Sequence, residues 1–277
     1  MVQAKLTPMS VVKLARDAGN VLMYRATWGG SQNFLGARWV ERFVANSPAA
    51  AREQVALRFL SLSPHYFYAR DVHAEDTRNR KSRQSLADQL IGPHLTPQSR
   101  VLDYGCGPGY LASAVAGQAA QVHAVDISRG VLACARALNE RPNITFQTPD
   151  EFRAAGTRVD LAYSFAVIQH LRTEVLHDVL GRLAAAVRPG GTLLLHFAVP
   201  DQVQWRTETD WRADESLANR AKLRYALNCF GRSPAEMSDL VAGNGFTDVT
   251  VRPLSGDITV PGDVDIPNQH LLTARRA

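Results

Sequence analysis

The chain has 277 residues, 31 Lys and Arg against 26 Asp and Glu, a formal net charge of +5, and 45% hydrophobic residues. That length and composition exclude a disordered chain, a collagen-like chain and a disulfide scaffold, and they leave room for one large domain or one domain with an added lobe. The cysteines Cys106, Cys134 and Cys229 are odd in number, widely spaced and without metal-ligand spacing, so they read as reduced thiols and no metal is expected. No run of about 18 apolar residues occurs, and residues 1–20 lack the apolar core and cleavage site of a signal peptide. A cytoplasmic protein with no membrane contact is therefore expected. The positive charge is nearly all Arg, with Lys only at positions 5, 13, 81 and 222. A pI near 9.3 permits anionic partners without requiring them.

In chain order, residues 1–97 carry helical periodicity and few strand-like runs, with apolar stripes at 11–15, 38–43 and 50–62. From about residue 98 the pattern becomes strand alternating with helix. Residues 100–104 form an apolar run ending in a Gly-rich turn, and 110–118 read as a helix. Strands are expected at 121–126, 143–147, 158–164 and 191–199, with Ser128 capping the helix after the second and a turn at 188–191 before the fifth. A mostly helical stretch is expected at about 214–242, then closing strands at 246–253 and 269–274. Such alternation predicts a doubly wound α/β sheet with ligands at the carboxyl ends of its strands.

The sharpest feature is the run Val101-Leu102-Asp103-Tyr104-Gly105-Cys106-Gly107-Pro108-Gly109-Tyr110. Its glycines permit a tight turn and close approach of a ligand between a strand and a helix. A dinucleotide fingerprint starting at Gly105 requires glycine at position 110, where Tyr110 stands. The observed G-x-G-x-G with Asp103 ahead of it instead resembles motif I of the class I S-adenosylmethionine-dependent methyltransferases. Asp126 at the end of the second strand, the segment Thr148-Pro149-Asp150-Glu151 after the third, the run Val159 to Ser164, and the turn Val187-Arg188-Pro189-Gly190-Gly191 into strand five follow in that family's order. The resemblance covers about residues 98–200.

It implies a Rossmann-like seven-stranded sheet in a methyltransferase domain at 98–277, with a helical insert at about 201–245; residues 1–97 are not explained by the resemblance and are expected to form an N-terminal helical lobe or lid. It also implies S-adenosyl-L-methionine as cofactor. On this reading Asp103 attracts the ammonium, backbone N–H groups from Gly105 through Cys106 and Gly107 to Gly109 hold the carboxylate, and Asp126 accepts both ribose hydroxyls. Ile127 packs on the adenine, Asp150 and Glu151 read its edge, and Ser164 and Phe165 line the methionine end. Cys106 counts through its backbone and not as a reactive thiol.

For the acceptor, His170 and His196 are candidate bases, each near the end of a central strand, and Tyr66, Tyr68 and Trp205 are candidate substrate contacts. The segment after strand four, Ser164-Phe165-Ala166-Val167, lacks the Asn/Asp-Pro-Pro-Tyr/Phe run that the family carries when it methylates exocyclic base amines or glutamine amides. Arg70, Arg78, Arg80, Lys81 and Arg83 form a basic stretch broken by Asp71, Glu75 and Asp76, which reads as a solvated face and not as a nucleic-acid surface. One arginine there is a candidate partner for the cofactor's carboxylate or an acidic substrate. Methyl transfer to oxygen or nitrogen of a small molecule is expected, with an RNA or protein acceptor, or a non-catalytic nucleoside-binding module, as alternatives.

Overall fold

A computed structural model of the chain describes residues 38–61, 71–201, 206–224, 228–254 and 268–277. Seven strands form one sheet in the order β3-β2-β1-β4-β5-β7-β6. They are β1 (Arg100–Tyr104), β2 (Gln121–Val125), β3 (Ile144–Gln147), β4 (Val159–Ser164), β5 (Val187–Ala198), β6 (Phe246–Pro253) and β7 (Gln269–Arg276). The first five are parallel, while β7 runs antiparallel between β5 and β6. The strand order reverses between β1 and β4, which opens the ligand crevice of a doubly wound sheet at their carboxyl ends.

The helices are α1 (Arg38–Asn46), α2 (Ala49–Ser61), α3 (Val72–Leu86), α4 (Tyr110–Val115), α5 (Arg129–Asn139), α6 (Pro149–Ala154), α7 (Thr173–Ala186), α8 (Glu208–Ala213), α9 (Leu217–Arg224) and α10 (Pro234–Gly243). Several helix starts have a local cause. Asp71 caps α3 by accepting from His73 N and Ala74 N, and Ser128 caps α5 by accepting from Val131 N. Thr148 and Glu151 form a reciprocal capping box on α6.

Central strands are apolar on both faces because helices cover both sides. On one face Leu194 and Leu271 pack with Leu86, Leu90, Ile91, Leu111 and Val115. On the other, Leu176, Val179, Leu180 and Leu183 of α7 meet Leu102, Phe197, Met237 and Leu272. A third cluster joins Val40, Val44, Leu57 and Leu60 of α1 and α2 to Val131 and Cys134 of α5. Each such aliphatic side chain contributes about 1.5–3 kcal/mol by leaving water. Strand β6 lies at the edge and alternates in burial, with a register shift between Thr247 and Thr250 that breaks the exposed ladder.

One expectation is corrected. The turn expected at 188–191 is an irregularity inside β5, which already begins at Val187: Val159 pairs with Val187 and Leu161 with Thr192. Gly190 has φ +75°, and a Cβ on Gly191 would lie 2.8 Å from the Asp160 carbonyl, so both positions need glycine. The mostly helical stretch expected at about 214–242 holds α9 and α10 as separate helices, because Ser233-Pro234 caps and starts the second. Before that cap, Phe230 N donates to Gln169 O at 2.6 Å, and the buried Arg232 donates from Nη1 to Ile168 O at 3.0 Å. These bonds fasten the insert to the segment after β4.

Among the described residues no helix is long and apolar enough to cross a membrane, and no group of three or more metal-ligating side chains is found.

Candidate active site

The glycine turn leaves β1 at the reversal of strand order. Gly105 has φ +84°, and a Cβ there would sit 2.4 Å from Val167 Cγ2. Gly109 has φ +81°, and its Cβ would meet the Phe146 ring at 2.8 Å. Both positions thus exclude side chains on conformational and steric grounds. The expected use of the turn's N–H groups is not what the geometry offers. Gly105 N and Cys106 N donate to Val125 O at 2.7 and 2.9 Å, Gly109 N donates to Cys106 O at 3.0 Å, and Gly107 N donates to Asp126 Oδ2 at 3.0 Å. Pro108 has no N–H. Those donors are spent on shaping the turn, and its contribution to a ligand is close approach. The Cys106 thiol is buried, which holds its pKa well above the usual thiol range and keeps it unreactive.

Asp103, in β1, is 2% exposed, and its Oδ2 has no hydrogen-bond partner. Burial pushes its pKa up to about 8, the nearby Tyr163 hydroxyl opposes that, and the Asp126 charge adds to it. The Tyr163 hydroxyl neighbours the carboxyl without hydrogen-bond geometry, so both groups are left unsatisfied. A buried carboxylate oxygen with no partner fits the ammonium of an amino-acid cofactor. Asp126 stands just past β2. Its Oδ1 accepts from Ser128 N at 2.8 Å and its Oδ2 from Gly107 N at 3.0 Å. Burial raises its pKa and the two backbone donors lower it. Each oxygen keeps a second lone pair, which fits two ribose hydroxyls. Beside it Ile127 is 65% exposed, an apolar face of the kind an adenine covers. The residues present therefore fit S-adenosylmethionine.

Asp150 is exposed and paired with Arg153 at 3.1 Å. The Glu151 side chain closes the capping box through Thr148 N and pairs with Arg129 at 2.9 Å, and the Thr148 N–H is the main cause of its lowered pKa. Ser164 is fully buried and donates from Oγ to Tyr104 O at 2.8 Å, tying the end of β4 to the end of β1.

The two histidines occupy different places. His196, in β5, is stacked on Phe165 with ring centroids 4.6 Å apart and planes 13° from parallel. Its Nδ1 accepts from Ala166 N at 3.1 Å, and burial pushes its pKa down to about 4. Those partners assign a neutral ring with the proton on Nε2. His170 is turned toward the insert. Its Nδ1 lies 2.7 Å from Asn228 O, which assigns the proton to Nδ1. Burial lowers its pKa and the Asn228 carbonyl opposes that.

The pairing of β5 with β7 puts Gln269 on the same face as His196, since Ala198 is opposite Gln269 and His196 is opposite Leu271. Gln269 is buried and neighbours the His196 ring closely enough to oppose the fall in its pKa, although its Oε1 makes no hydrogen bond of ordinary geometry. Sequence reasoning missed it, because its inward face follows from the register of β7 against β5 and from no local pattern. Of the basic stretch, Arg83 lies near enough to His196 to depress that ring's pKa further. Tyr66, Tyr68 and Trp205 lie outside the described residues.

A seven-stranded sheet of this order, with a glycine turn after β1, an unpartnered acidic residue before it and a carboxylate after β2, defines a Rossmann-like cofactor-binding methyltransferase fold. The family model described as methyltransferase domain matches residues 101–191. The chain is 28% identical over 183 residues to the malonyl-[acyl-carrier protein] O-methyltransferase of Enterobacter lignolyticus (strain SCF1), covering 65% of this chain and 68% of the relative. It is 30% identical over 205 residues to the ubiquinone biosynthesis O-methyltransferase of Methylobacterium sp. (strain 4-46), covering 67% and 76%. The fold is similar to the magnesium protoporphyrin IX methyltransferase from Synechocystis PCC 6803, solved with bound SAH, at TM-score 0.50 and 19% identity over 73% of this chain and 84% of that one. The protein belongs to the class I S-adenosylmethionine-dependent methyltransferases.

Proposed function

We propose that the protein methylates an oxygen or nitrogen of a small molecule, with oxygen preferred, at the carboxyl ends of β4 and β5. The observation that carries this reading is the wall formed by Phe165, His196 and Gln269. It combines a stacked ring pair with a buried amide oxygen and carries no charge of its own. Such a wall suits a compact, partly apolar acceptor bearing one or two polar atoms. The two relatives above are both named O-methyltransferases, and their likeness covers about two thirds of the chain, well past residues 101–191. The basic stretch on α3 offers no coherent cationic face, because Arg78 pairs with Glu75 and Arg80 with Asp76.

When bound, the cofactor supplies a methyl group already activated on a sulfonium. Asp103 anchors the ammonium, Asp126 the ribose, and Ile127 with the α6 terminus at Asp150 and Glu151 flanks the adenine. The turn from Gly105 to Gly109 lets the backbone close on the ligand. Phe165 and Ala166 shape the methionine end, fixed by the Ala166 N–H bond to His196. His196 presents Nε2–H as a donor that orients the acceptor, and its basic Nδ1 is held by the backbone. His170, bonded through Nδ1 to Asn228 O, secures the segment after β4. Most of the rate comes from alignment of the acceptor and exclusion of water.

The test is transfer of labelled methyl to fractionated cell extract. Label in compounds below about 1 kDa is expected, in proportion to enzyme. Label confined to RNA or protein would overturn the small-molecule reading, and cofactor binding with no transfer to any fraction would favour a non-catalytic module.

A further inference from the structure

Helix α3 reaches the back of the glycine turn through a closed chain of hydrogen bonds. The Tyr110 hydroxyl donates to Asp76 Oδ1 at 2.7 Å. Asp76 Oδ2 accepts from Arg80 Nε at 2.9 Å. Arg80 extends Nη1 to Asn139 Oδ1 at 3.0 Å and Nη2 to Leu138 O at 3.1 Å, both at the end of α5. Asn139 Nδ2 in turn donates to Pro108 O at 2.8 Å. The chain begins at Tyr110 and ends at Pro108, the two neighbours of Gly109. Asn139 and Tyr110 are buried, and the Arg80 guanidinium lies 5.5 Å from the Tyr110 ring centroid.

An exposed Asp–Arg pair four residues apart on a helix is worth only a few tenths of a kcal/mol. This pair is different in its partners. Asp76 spends its remaining bond on Tyr110, and Arg80 reaches Pro108 through Asn139, so the two ends of the network bracket Gly109, a turn position with left-handed φ and close approach to Phe146. The bonds to Tyr110 and Asn139 cross 34 and 59 residues of sequence, so they join α3 to the cofactor core and do not serve the helix itself. They also give Tyr110 a role at the position where a dinucleotide-binding turn would carry glycine.

We propose that Asp76 and Arg80 are positioning residues for the cofactor: with Asn139 they grip Pro108 and Tyr110 on either side of Gly109 and hold the glycine turn in its ligand-accepting shape, which makes α3 part of the cofactor site. The proposal rests on reading that turn as the cofactor loop. Coupling of this kind is reciprocal, so an occupied cofactor site also secures α3.

The experiment is titration of the full chain with S-adenosylhomocysteine, paired with amide hydrogen exchange. Tyr110→Phe removes only the hydroxyl and keeps the ring packing. Tyr110→Phe and Asp76→Ala are each expected to weaken binding by roughly five- to thirtyfold. The double variant should be no weaker than the worse single, because both break the same link. Asp76→Asn keeps an acceptor for the Tyr110 hydroxyl and should recover part of the loss. In the unaltered protein the ligand should slow exchange across residues 72–86, and in Tyr110→Phe it should not, although protection near Asp126 persists. A general loss of packing would not separate those two segments. Unchanged affinity in folded Tyr110→Phe and Asp76→Ala, multiplied losses in the double variant, or exchange over 72–86 indifferent to ligand would each overturn the proposal. Failure of the unaltered protein to bind the ligand would instead remove the cofactor reading on which it rests.

Discussion

Asp126, just past β2, accepts the backbone N–H of Gly107 in the turn after β1 at 3.0 Å. The carboxylate proposed to receive the ribose thus also shapes the glycine turn, so one side chain bears on two walls of the candidate site.

Replacing Asp126 by Ala should therefore weaken S-adenosylhomocysteine by more than a single contact. Loss of charge-assisted hydrogen bonds alone predicts about 1.5–3 kcal/mol. Isothermal titration reads this directly, and wild-type affinity in a folded Asp126→Ala protein would take Asp126 out of the ribose role.

Asp103 predicts a pH dependence. The buried carboxyl holds its proton up to about pH 8 in the ligand-free protein, and an ammonium partner stabilises the ionised form. Binding near neutrality then releases a proton, and affinity should rise between pH 6 and 7.5 by up to about tenfold per unit. Calorimetry in buffers of different ionisation enthalpy counts that proton; Asp103→Asn should bind weakly and without the slope. The sign for stability is opposite. An unfolded Asp loses its proton near pH ~4, while the native one keeps it to about 8. The native state thus binds more protons across that window, and the ligand-free fold should lose stability as pH rises through it.

The histidines should separate by assay. His196→Ala is expected to lower turnover with cofactor affinity nearly unchanged. With its pKa down at about 4, His196 should contribute no inflection to the rate between pH 5.5 and 8. His170→Ala breaks the bond to Asn228 O and should lower the melting temperature more than His196→Ala does. Equal melting temperatures would show that His170 does not secure the insert.

Arg232 is 2% exposed, donates to the Ile168 and Leu171 carbonyls, and has Glu236 at 3.7 Å. Arg232→Ala strips buried carbonyls of their donor and should cost about 3–5 kcal/mol, as breaking a buried charge network does. Urea unfolding measures it. A loss below about 1 kcal/mol would mean that water or neighbouring donors replace the guanidinium.

Some of this was legible before any coordinates. The positions of Asp103 and Asp126 at the ends of β1 and β2 are legible from sequence because strand period and turn chemistry are local, and both strands end where apolar runs stop. Gln269 was not legible, since its inward face follows only from the register of β7 against β5. The acidic breaks in the basic stretch read as solvation, yet Asp76 is a link to Tyr110. The expected N–H donors of the glycine turn also changed role, because competition from the Val125 carbonyl and the Asp126 carboxylate is a matter of three dimensions.

The sequence by itself determined the alternation of strands and helices, the place of the glycine turn and the class of cofactor. Those follow from side-chain period, glycine's freedom at positive φ and acidic residues at strand ends, all encoded within about ten residues of chain. Only the tertiary structure decided which histidine faces Phe165 and which faces Asn228, and that Asp76 and Arg80 of α3 are linked to Tyr110 and, through Asn139, to Pro108. Such bonds join groups tens of residues apart whose meeting depends on how helices pack on the sheet, and no local pattern specifies that packing.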